Sequence, residues 1–135
     1  MTIKGIRHTG IVVQDLPSSI EYWKELGFTV QRINVELGAY TDKLMGLSGS
    51  DVTTAKLTAP DGSMVELLCI PSHKEISGIT HIAMSVADIE QTKYLLNLRG
   101  HYPKFDIVAS PDGRVKVAYV NAPDGVILEL VEELC

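Results

Sequence analysis

The chain has 135 residues, of which 45% are hydrophobic and 21% charged, as in an ordinary globular domain and unlike a disordered chain. A formal net charge of −5 argues against nucleic acid as a partner, and no apolar run reaches the roughly 18 residues that a membrane-spanning helix needs. The residues after Met1 lack a signal-peptide pattern, and two cysteines, Cys69 and Cys135, make no disulfide framework, so we expect a cytoplasmic protein.

The predicted elements, taken in chain order, form the same series twice: a strand, a helix and three strands. The first strand runs from Arg7 to Gln14, and the helix that follows is capped by Asp15 and ends at Gly27. The other predicted elements are strands near 28–36, 51–58, 63–70 and 78–86, a helix near 89–99, and strands near 104–109, 114–121 and 126–133. The turn signals between the later strands are Asp61-Gly62, Asp112-Gly113 and Asp124-Gly125. We therefore expect an α+β fold of two tandem βαβββ modules that form a curved, half-open barrel.

An internal repeat supports this division of the chain into two halves. Residues 59–69 read APDGSMVELLC, and residues 122–132 read APDGVILELVE. Each run consists of an Ala-Pro-Asp-Gly turn followed by an apolar strand that contains one glutamate. The two glutamates, Glu66 and Glu129, occupy equivalent positions 63 residues apart. A fixed period of this kind indicates a duplicated structural unit.

The repeat also relates two histidines, and its spacing reveals an insertion. His8 and His81 each open an apolar strand, and they lie 73 residues apart rather than 63. The first half therefore carries ten extra residues, and the natural candidate is the segment at about 38–47, which has the pattern of a short helix. The expected modules are residues 1–71 and residues 78–135, which together form one compact domain.

Four residues of the repeat, His8, Glu66, His81 and Glu129, make a candidate metal site. Side chains alternate faces along a strand, which puts all four opposite the surface that the helices cover. A buried carboxylate is costly unless it is paired or binds a metal, and two neighbouring carboxylates repel each other. A divalent cation removes both penalties, and two imidazoles with two carboxylates suit Zn, Ni, Co, Mn or Fe. The sequence therefore predicts one divalent metal ion.

Taken singly, each of these residues also has a structural interpretation. A histidine on a strand is usually structural, and a glutamate between leucines can mark the exposed side of an edge strand. Four such residues at matching positions of a duplicated unit favour the metal site. His73 and His101 have no counterpart in the repeat, and we expect both at the surface.

The sequence resembles the vicinal oxygen chelate superfamily, which comprises glyoxalases, bleomycin-resistance proteins and dioxygenases. The resemblance covers nearly the whole chain and rests on HTGIVVQDL at 8–16, the APDG-strand-glutamate run to Cys69, THIAMSVADI at 80–89 and APDGVILELVEEL at 122–134. It implies paired βαβββ modules, a divalent metal at the four repeated positions and a small-molecule substrate that chelates the metal through oxygen. It also implies a homodimer.

Two classes of enzyme within this superfamily have motifs most similar to those of this sequence. Methylmalonyl-CoA epimerases share the opening pattern His-x-Gly-Ile-x-Val, seen here at 8–13, and the ending Leu-Glu-Leu-Val-Glu at 128–132. The 38–47 segment departs from the usual loop of these epimerases, which argues against a CoA ester. Glyoxalase I shares the four-ligand set but typically has a glutathione-binding arginine where this chain has Val12.

The reaction that we expect is an isomerisation, epimerisation or lyase reaction with proton transfer next to a carbonyl. The resemblance to glyoxalase I implies that Glu129 or Glu66 loosens from the metal and serves as the catalytic base. An iron-dependent extradiol-type dioxygenase is the alternative with the same site, although such enzymes use two histidines and one glutamate. A non-catalytic small-molecule binding or resistance protein is the other alternative, although bleomycin-binding members lack the metal ligands.

Further residues are weaker candidates for substrate contact. Glu36, Tyr40 and Asp42 lie on or beside the insertion and could supply acid, base or substrate contacts; a solvated helix face is the favoured interpretation. Lys104, Arg114 and Lys116 could hold an anionic substrate, but no sequence signal places them in the cavity.

Overall fold

The computed structural model describes residues 3–36, 38–100, 106–122 and 126–134. The described residues form eight strands and three helices, in the order β1 (Ile3–Val12), α1 (Leu16–Glu25), β2 (Thr29–Glu36), α2 (Gly38–Met45), β3 (Val52–Thr58), β4 (Met64–Cys69), β5 (Gly78–Val86), α3 (Ile89–Leu98), β6 (Val108–Ala109), β7 (Val115–Asn121) and β8 (Ile127–Glu133). None of these three helices combines the length and the apolar character needed to cross a membrane.

The eight strands form one mixed sheet in the order β2-β3-β4-β1-β5-β8-β7-β6. The two halves meet where β1 pairs antiparallel with β5, and within each half the first strand pairs in parallel with the last, β1 with β4 and β5 with β8. The sheet curls into a half-barrel, as the duplicated βαβββ pattern predicts. This α+β architecture confirms the expected fold class.

Helices α1 and α3 begin at equivalent aspartates and cover one face of the sheet. The Asp15 carboxylate accepts a hydrogen bond from the Ser18 amide (3.1 Å), and the Asp88 carboxylate accepts one from the Gln91 amide (3.0 Å). These are N-caps, which satisfy amides that the first helical turn leaves free. Leu16 of α1 packs on the sheet against Ala55, Leu57 and Leu67. Ile89 of α3 packs in the same way against a second group, Val86, Ala118, Val120 and Leu130. The opposite face of the sheet is left for the site.

The strands differ from the sequence-based boundaries at two places. Strand β1 covers Ile3–Val12 rather than Arg7 to Gln14. It starts earlier because Ile3 pairs with Val86 and the long antiparallel ladder with β5 extends it. The strand expected near 104–109 is described only at Val108–Ala109, and residues 104 and 105 lie outside the described ranges, as does the Asp124-Gly125 turn. The earlier start of β1 depends on a partner distant in sequence, which local patterns do not reveal.

The segment expected as an inserted helix is α2, and it packs against the other half of the chain. Leu44 of α2 is buried with Val117, Tyr119 and Val131. The Asp42 carboxylate accepts hydrogen bonds from the Gly49 and Ser50 amides and the Ser50 hydroxyl, which holds the loop after the helix. The insertion in the first half thereby forms part of the wall beside β7 and β8.

Candidate metal centre

The strand register explains why the four repeated residues converge. Across β4, β1 and β5 the register aligns Glu66 with Gly10 and Gly10 with His81. Across β8, β5 and β1 it aligns Glu129 with Ala83 and Ala83 with His8. In both rows a glutamate of one half faces a histidine of the other over a residue with little or no side chain. The space between the two rows is filled by imidazoles and carboxylates.

The four side chains meet at hydrogen-bond to ion-pair distances. The Nε2 atoms of His8 and His81 are 3.3 Å apart. Glu129 Oε2 lies 3.0 Å from His81 Nε2 and 3.7 Å from His8 Nε2. Glu66 Oε1 lies 3.7 Å from His8 Nε2 and 3.8 Å from His81 Nε2. The structure thus brings together all four residues that the sequence repeat indicates.

The cluster is buried, and its charges shift one another's pKa values. Burial and the Glu129 charge raise the pKa of Glu66, against the lowering effects of His8, Lys56 and His81. Burial also opposes ionisation of Glu129, but hydrogen bonds and charges from both histidines outweigh it and hold that pKa well below its usual range. For His81 the lowering by burial is outweighed by the Glu129 hydrogen bond and the two carboxylate charges, and its pKa is raised.

The donor set fits a divalent cation. Donor atoms of His8, Glu66 and His81 all lie within 4.8 Å of one another. Two nitrogens about 2.0–2.1 Å from one ion at tetrahedral angles are roughly 3.3 Å apart, close to the separation of the two histidine nitrogens. Without a cation, one of these nitrogens must carry a proton to avoid facing lone pairs, and two buried carboxylates remain close. A divalent ion removes both conflicts.

The other ring nitrogen of His81 has partners that orient the imidazole. Its Nδ1 lies 3.1 Å from the Thr80 hydroxyl and 3.4 Å from the Tyr119 hydroxyl. The Thr80 hydroxyl donates to the Gly10 carbonyl at 3.4 Å, so it accepts from an Nδ1–H. This proton arrangement leaves the Nε2 lone pair directed at the cluster, as metal-binding histidines require. Sequence reasoning did not find Thr80 or Tyr119.

A cavity of about 740 Å³ opens beside the cluster. Its lining includes Glu66 and Glu129, and also Glu36 and Tyr40 from the end of β2 and from α2. The pKa of Tyr40 is raised, first by burial and then by the charges of Glu129, Glu36 and Glu66.

Of the other candidate residues from the sequence, some line the cavity and others do not. Asp42 is not part of the cavity wall and instead holds the loop after α2. Arg114 lines the cavity, Lys116 does not, and Lys104 lies outside the described residues. His73 lies away from the cavity, with a side chain 19% exposed, and its ring nitrogens contact the Ser48 carbonyl and the Glu75 carboxylate at 3.1 Å. His101 lies outside the described residues.

The cavity also contains basic residues that sequence reasoning missed. Arg7, Arg32 and Lys56 line it, each from a different strand. Arg7 donates to Glu133 at 2.6 Å, and Lys56 Nζ lies 3.9 Å from Glu66. The available signal was the strand alternation of β2 and β3, which places Arg32 and Lys56 on the same side as the cluster of histidines and glutamates.

Comparison with known families gives one match that spans most of the chain. The family model described as "Glyoxalase/Bleomycin resistance protein/Dioxygenase superfamily" matches residues 5–130 of this chain. Among curated proteins, YaeR of Escherichia coli K12, described as uncharacterized, is 27% identical and covers 97% of this chain and 98% of its own length.

Solved structures share the fold. Methylmalonyl-CoA epimerase from Mycobacterium tuberculosis has a TM-score of 0.77 and 22% identity, over 98% of this chain and 90% of that chain. A Streptomyces coelicolor methylmalonyl-CoA epimerase variant in complex with 2-nitronate-propionyl-CoA has a TM-score of 0.72 and 22% identity, over 99% and 100% of the two chains. The hypothetical protein BH1468 from Bacillus halodurans has a TM-score of 0.77 and 22% identity, and the match covers 98% of this chain and 96% of that chain.

Proposed function

We propose that this chain, which belongs to the glyoxalase/bleomycin resistance protein/dioxygenase superfamily, is a divalent-metal-dependent isomerase or epimerase that moves a proton next to a carbonyl group. The observation that carries the proposal is the meeting of two imidazoles and two carboxylates in one buried cluster on the wall of a 740 Å³ cavity. A cavity of this volume suits a small-molecule substrate.

The residues that would hold the metal are His8, Glu66, His81 and Glu129. A bound divalent ion supplies Lewis acidity, which stabilises negative charge that develops on a substrate oxygen during proton transfer. The chain's own contribution is to keep both Nε2 atoms directed at one point. Thr80 supports this by accepting from His81 Nδ1.

The proton carriers in this proposal are the two carboxylates. Glu129 and Glu66 both border the cavity, so a carbon held there can reach either oxygen pair. Each contacts both histidine Nε2 atoms at 3.0–3.8 Å, and these contacts fix the carboxylate orientation. In an epimerisation, one of these carboxylates would leave the metal and remove the proton from one face of the carbon, and a proton would be returned to the other face.

Elemental analysis tests the metal part of the proposal directly. We expect close to one equivalent of Zn, Ni, Co, Mn or Fe per chain in purified protein, lost in His81→Ala and retained in the control His73→Ala. A chain that stays metal-free after reconstitution would overturn the enzyme proposal and favour a small-molecule binding protein.

Hydrogen exchange tests the chemistry. The metal-loaded protein is incubated in deuterium oxide with 2-oxo acids and with acyl-CoA thioesters, the latter because the structural relatives include methylmalonyl-CoA epimerases. We expect deuterium to enter the carbon next to a carbonyl of one substrate class. The extradiol-type alternative uses one carboxylate beside two histidines, whereas Glu129 lies 3.0 Å from His81 as a second. Oxygen consumption with ferrous protein and a catechol, without deuterium entry, would favour that alternative.

A further inference from the structure

Two cations lie in register beside the cluster of histidines and glutamates. In the paired strands Arg32 of β2 is opposite Lys56 of β3, and Lys56 is opposite Glu66 of β4. All three residues line the cavity. Adjacent strands are about 4.8 Å apart, so this row extends roughly 10 Å across the sheet from Glu66 to Arg32.

The duplication shows that the fold does not require a cation here. Residues 52–58 and 115–121 are equivalent strands, offset by the same 63 residues that relate Glu66 to Glu129. The counterpart of Lys56 is therefore Tyr119, which is paired with Glu129 as Lys56 is paired with Glu66. Because Glu129 has a phenol rather than a cation at this position, a lysine is not a structural necessity beside a buried glutamate.

The two cations are available to a ligand. Lys56 is one third exposed and its only carboxylate contact within 4.0 Å among the described residues is Glu66, at 3.9 Å. Arg32 is exposed, and in the described part of the chain no carboxylate lies within 4.0 Å of it. Asp112 lies across the cavity; its pKa is lowered chiefly by hydrogen bonds from Ser110 and Arg114, and only lastly by the Arg32 charge.

The side chains beside the pair on the same face of the sheet are polar. The next register pair on that face is Asn34 with Thr54, and Thr54 donates to Glu36 at 3.4 Å; all three line the cavity. The counterpart of Thr54 in the second half is Val117, which is buried with Tyr119, Val131 and Leu44. The cavity therefore has a polar patch around Arg32 and Lys56, and an apolar patch at Val117 and Val131 in the second half.

We propose that Arg32 and Lys56 form an anion-binding subsite, and that the substrate carries a carboxylate or phosphate group one to two strand spacings from the atoms that chelate the metal. This inference rests on the proposed function, since it names the substrate class of the same site. A guanidinium and an ammonium side by side bind such groups through charge-assisted hydrogen bonds. The apolar patch at Val117 and Val131 receives the uncharged part of the substrate.

Calorimetric titration of the metal-loaded protein with inorganic phosphate and with malonate tests the subsite. We expect Arg32→Gln combined with Lys56→Gln to weaken binding of the preferred anion at least about tenfold, which corresponds to about 1.4 kcal/mol. Arg32→Lys should restore most of the affinity lost in Arg32→Gln. The control is Lys24→Gln on α1, which removes a cation outside the cavity and should leave affinity unchanged. Tighter binding of phosphate than of malonate, or the reverse, identifies which anion the subsite takes.

Metal content measured on the same samples separates the two proposals. Unchanged anion affinity in the double variant, with full metal content, overturns the subsite and leaves the proposed function standing. Loss of metal in Lys56→Gln, with unchanged anion affinity in Arg32→Gln, would show that Lys56 only balances Glu66 and also overturns the subsite. A metal-free wild-type protein overturns the proposed function, whereas the effect of Arg32→Gln on phosphate binding remains measurable in it.

Discussion

Gly10 leaves the space that the His81 imidazole occupies. The two residues are opposite each other in the β1–β5 ladder, and a Cβ built on Gly10 would overlap the Cε1 and Nε2 atoms of the ring. The glycine is therefore required for close approach rather than for an unusual backbone conformation. The equivalent residue opposite His8 is Ala83, which is fully buried.

Gly10→Ala should displace His81 and weaken metal binding while leaving the fold in place. The added methyl group meets the ring itself, and overpacking of this kind typically costs about 1–3 kcal/mol. We expect reduced metal content and a lower thermal midpoint, with an unchanged far-ultraviolet circular dichroism spectrum. Full metal content in the variant would show that the ring can shift without cost.

Glu129→Gln should reduce turnover by about 10²–10⁴-fold, the usual contribution of a general base. The amide keeps the size of the side chain but cannot accept the proton. Deuterium entry into the substrate measures the loss, with metal content checked in parallel. Glu25→Gln, on the outer helix α1, is the matched control and should exchange at the wild-type rate. Wild-type exchange in Glu129→Gln would remove this residue from the mechanism.

Glu66→Gln should separate stability from metal binding. Burial and the nearby Glu129 charge disfavour the ionised form of Glu66, which is why its pKa is raised. The neutral amide removes this strain, so the metal-free variant should be at least as stable towards denaturant as the metal-free wild type. Its metal affinity should nevertheless fall. Clear destabilisation of the metal-free variant would mean that the contacts of Glu66 with Lys56 and the histidines outweigh the repulsion.

Thr80→Val should weaken metal binding by about 10–100-fold, as the loss of a group that orients a metal ligand usually does. The variant keeps the shape of the side chain but removes the acceptor for His81 Nδ1. Tyr119→Phe should have a smaller effect, because its hydroxyl lies farther from the ring at 3.4 Å. Competition with a coloured chelator measures both affinities. Equal affinities in all three proteins would exclude a positioning role.

His73 should contribute stability at mildly acidic pH and lose that contribution as the pH rises. Its pKa is raised first by the Ser48 carbonyl and then by Glu75, and the protonated ring can donate to both acceptors. A histidine whose pKa is higher in the folded than in the unfolded protein, where it is about 6.5, stabilises the fold. This stabilisation is complete below the unfolded pKa and disappears as the pH rises past the folded pKa. Glu75 and Asp42 face this histidine, and their pKa values are lowered, so neither titrates in this window.

The measurement is the thermal midpoint of wild type and His73→Gln from about pH 5.5 to about pH 8.5, with metal content constant. We expect the difference between the two proteins to be largest at the acidic end and to shrink as the pH rises. Lys74→Gln, the neighbouring substitution, should not change this pH profile. A difference that grows with pH would contradict the assigned sign.

The sequence alone determined the fold class and the four residues that meet at the cluster. The duplication relates His8 to His81 and Glu66 to Glu129, and strand alternation puts the four side chains on one face. Both features can be read directly from the order of residues. The helix at 38–47 was predicted for a similar reason, since the two spacings of the repeat differ by the length of the insertion.

Only the tertiary structure decided what surrounds the cluster. Thr80 and Tyr119 contact the same nitrogen of His81, although they are 39 residues apart in the sequence. Arg32 lies beside Lys56 because of the register between β2 and β3, which local sequence patterns do not predict. The contact of Leu44 with Val117 likewise depends on how one half packs on the other. Strand alternation says which face a side chain takes, whereas register and curvature decide which side chains share a cavity, and those depend on pairing between distant segments.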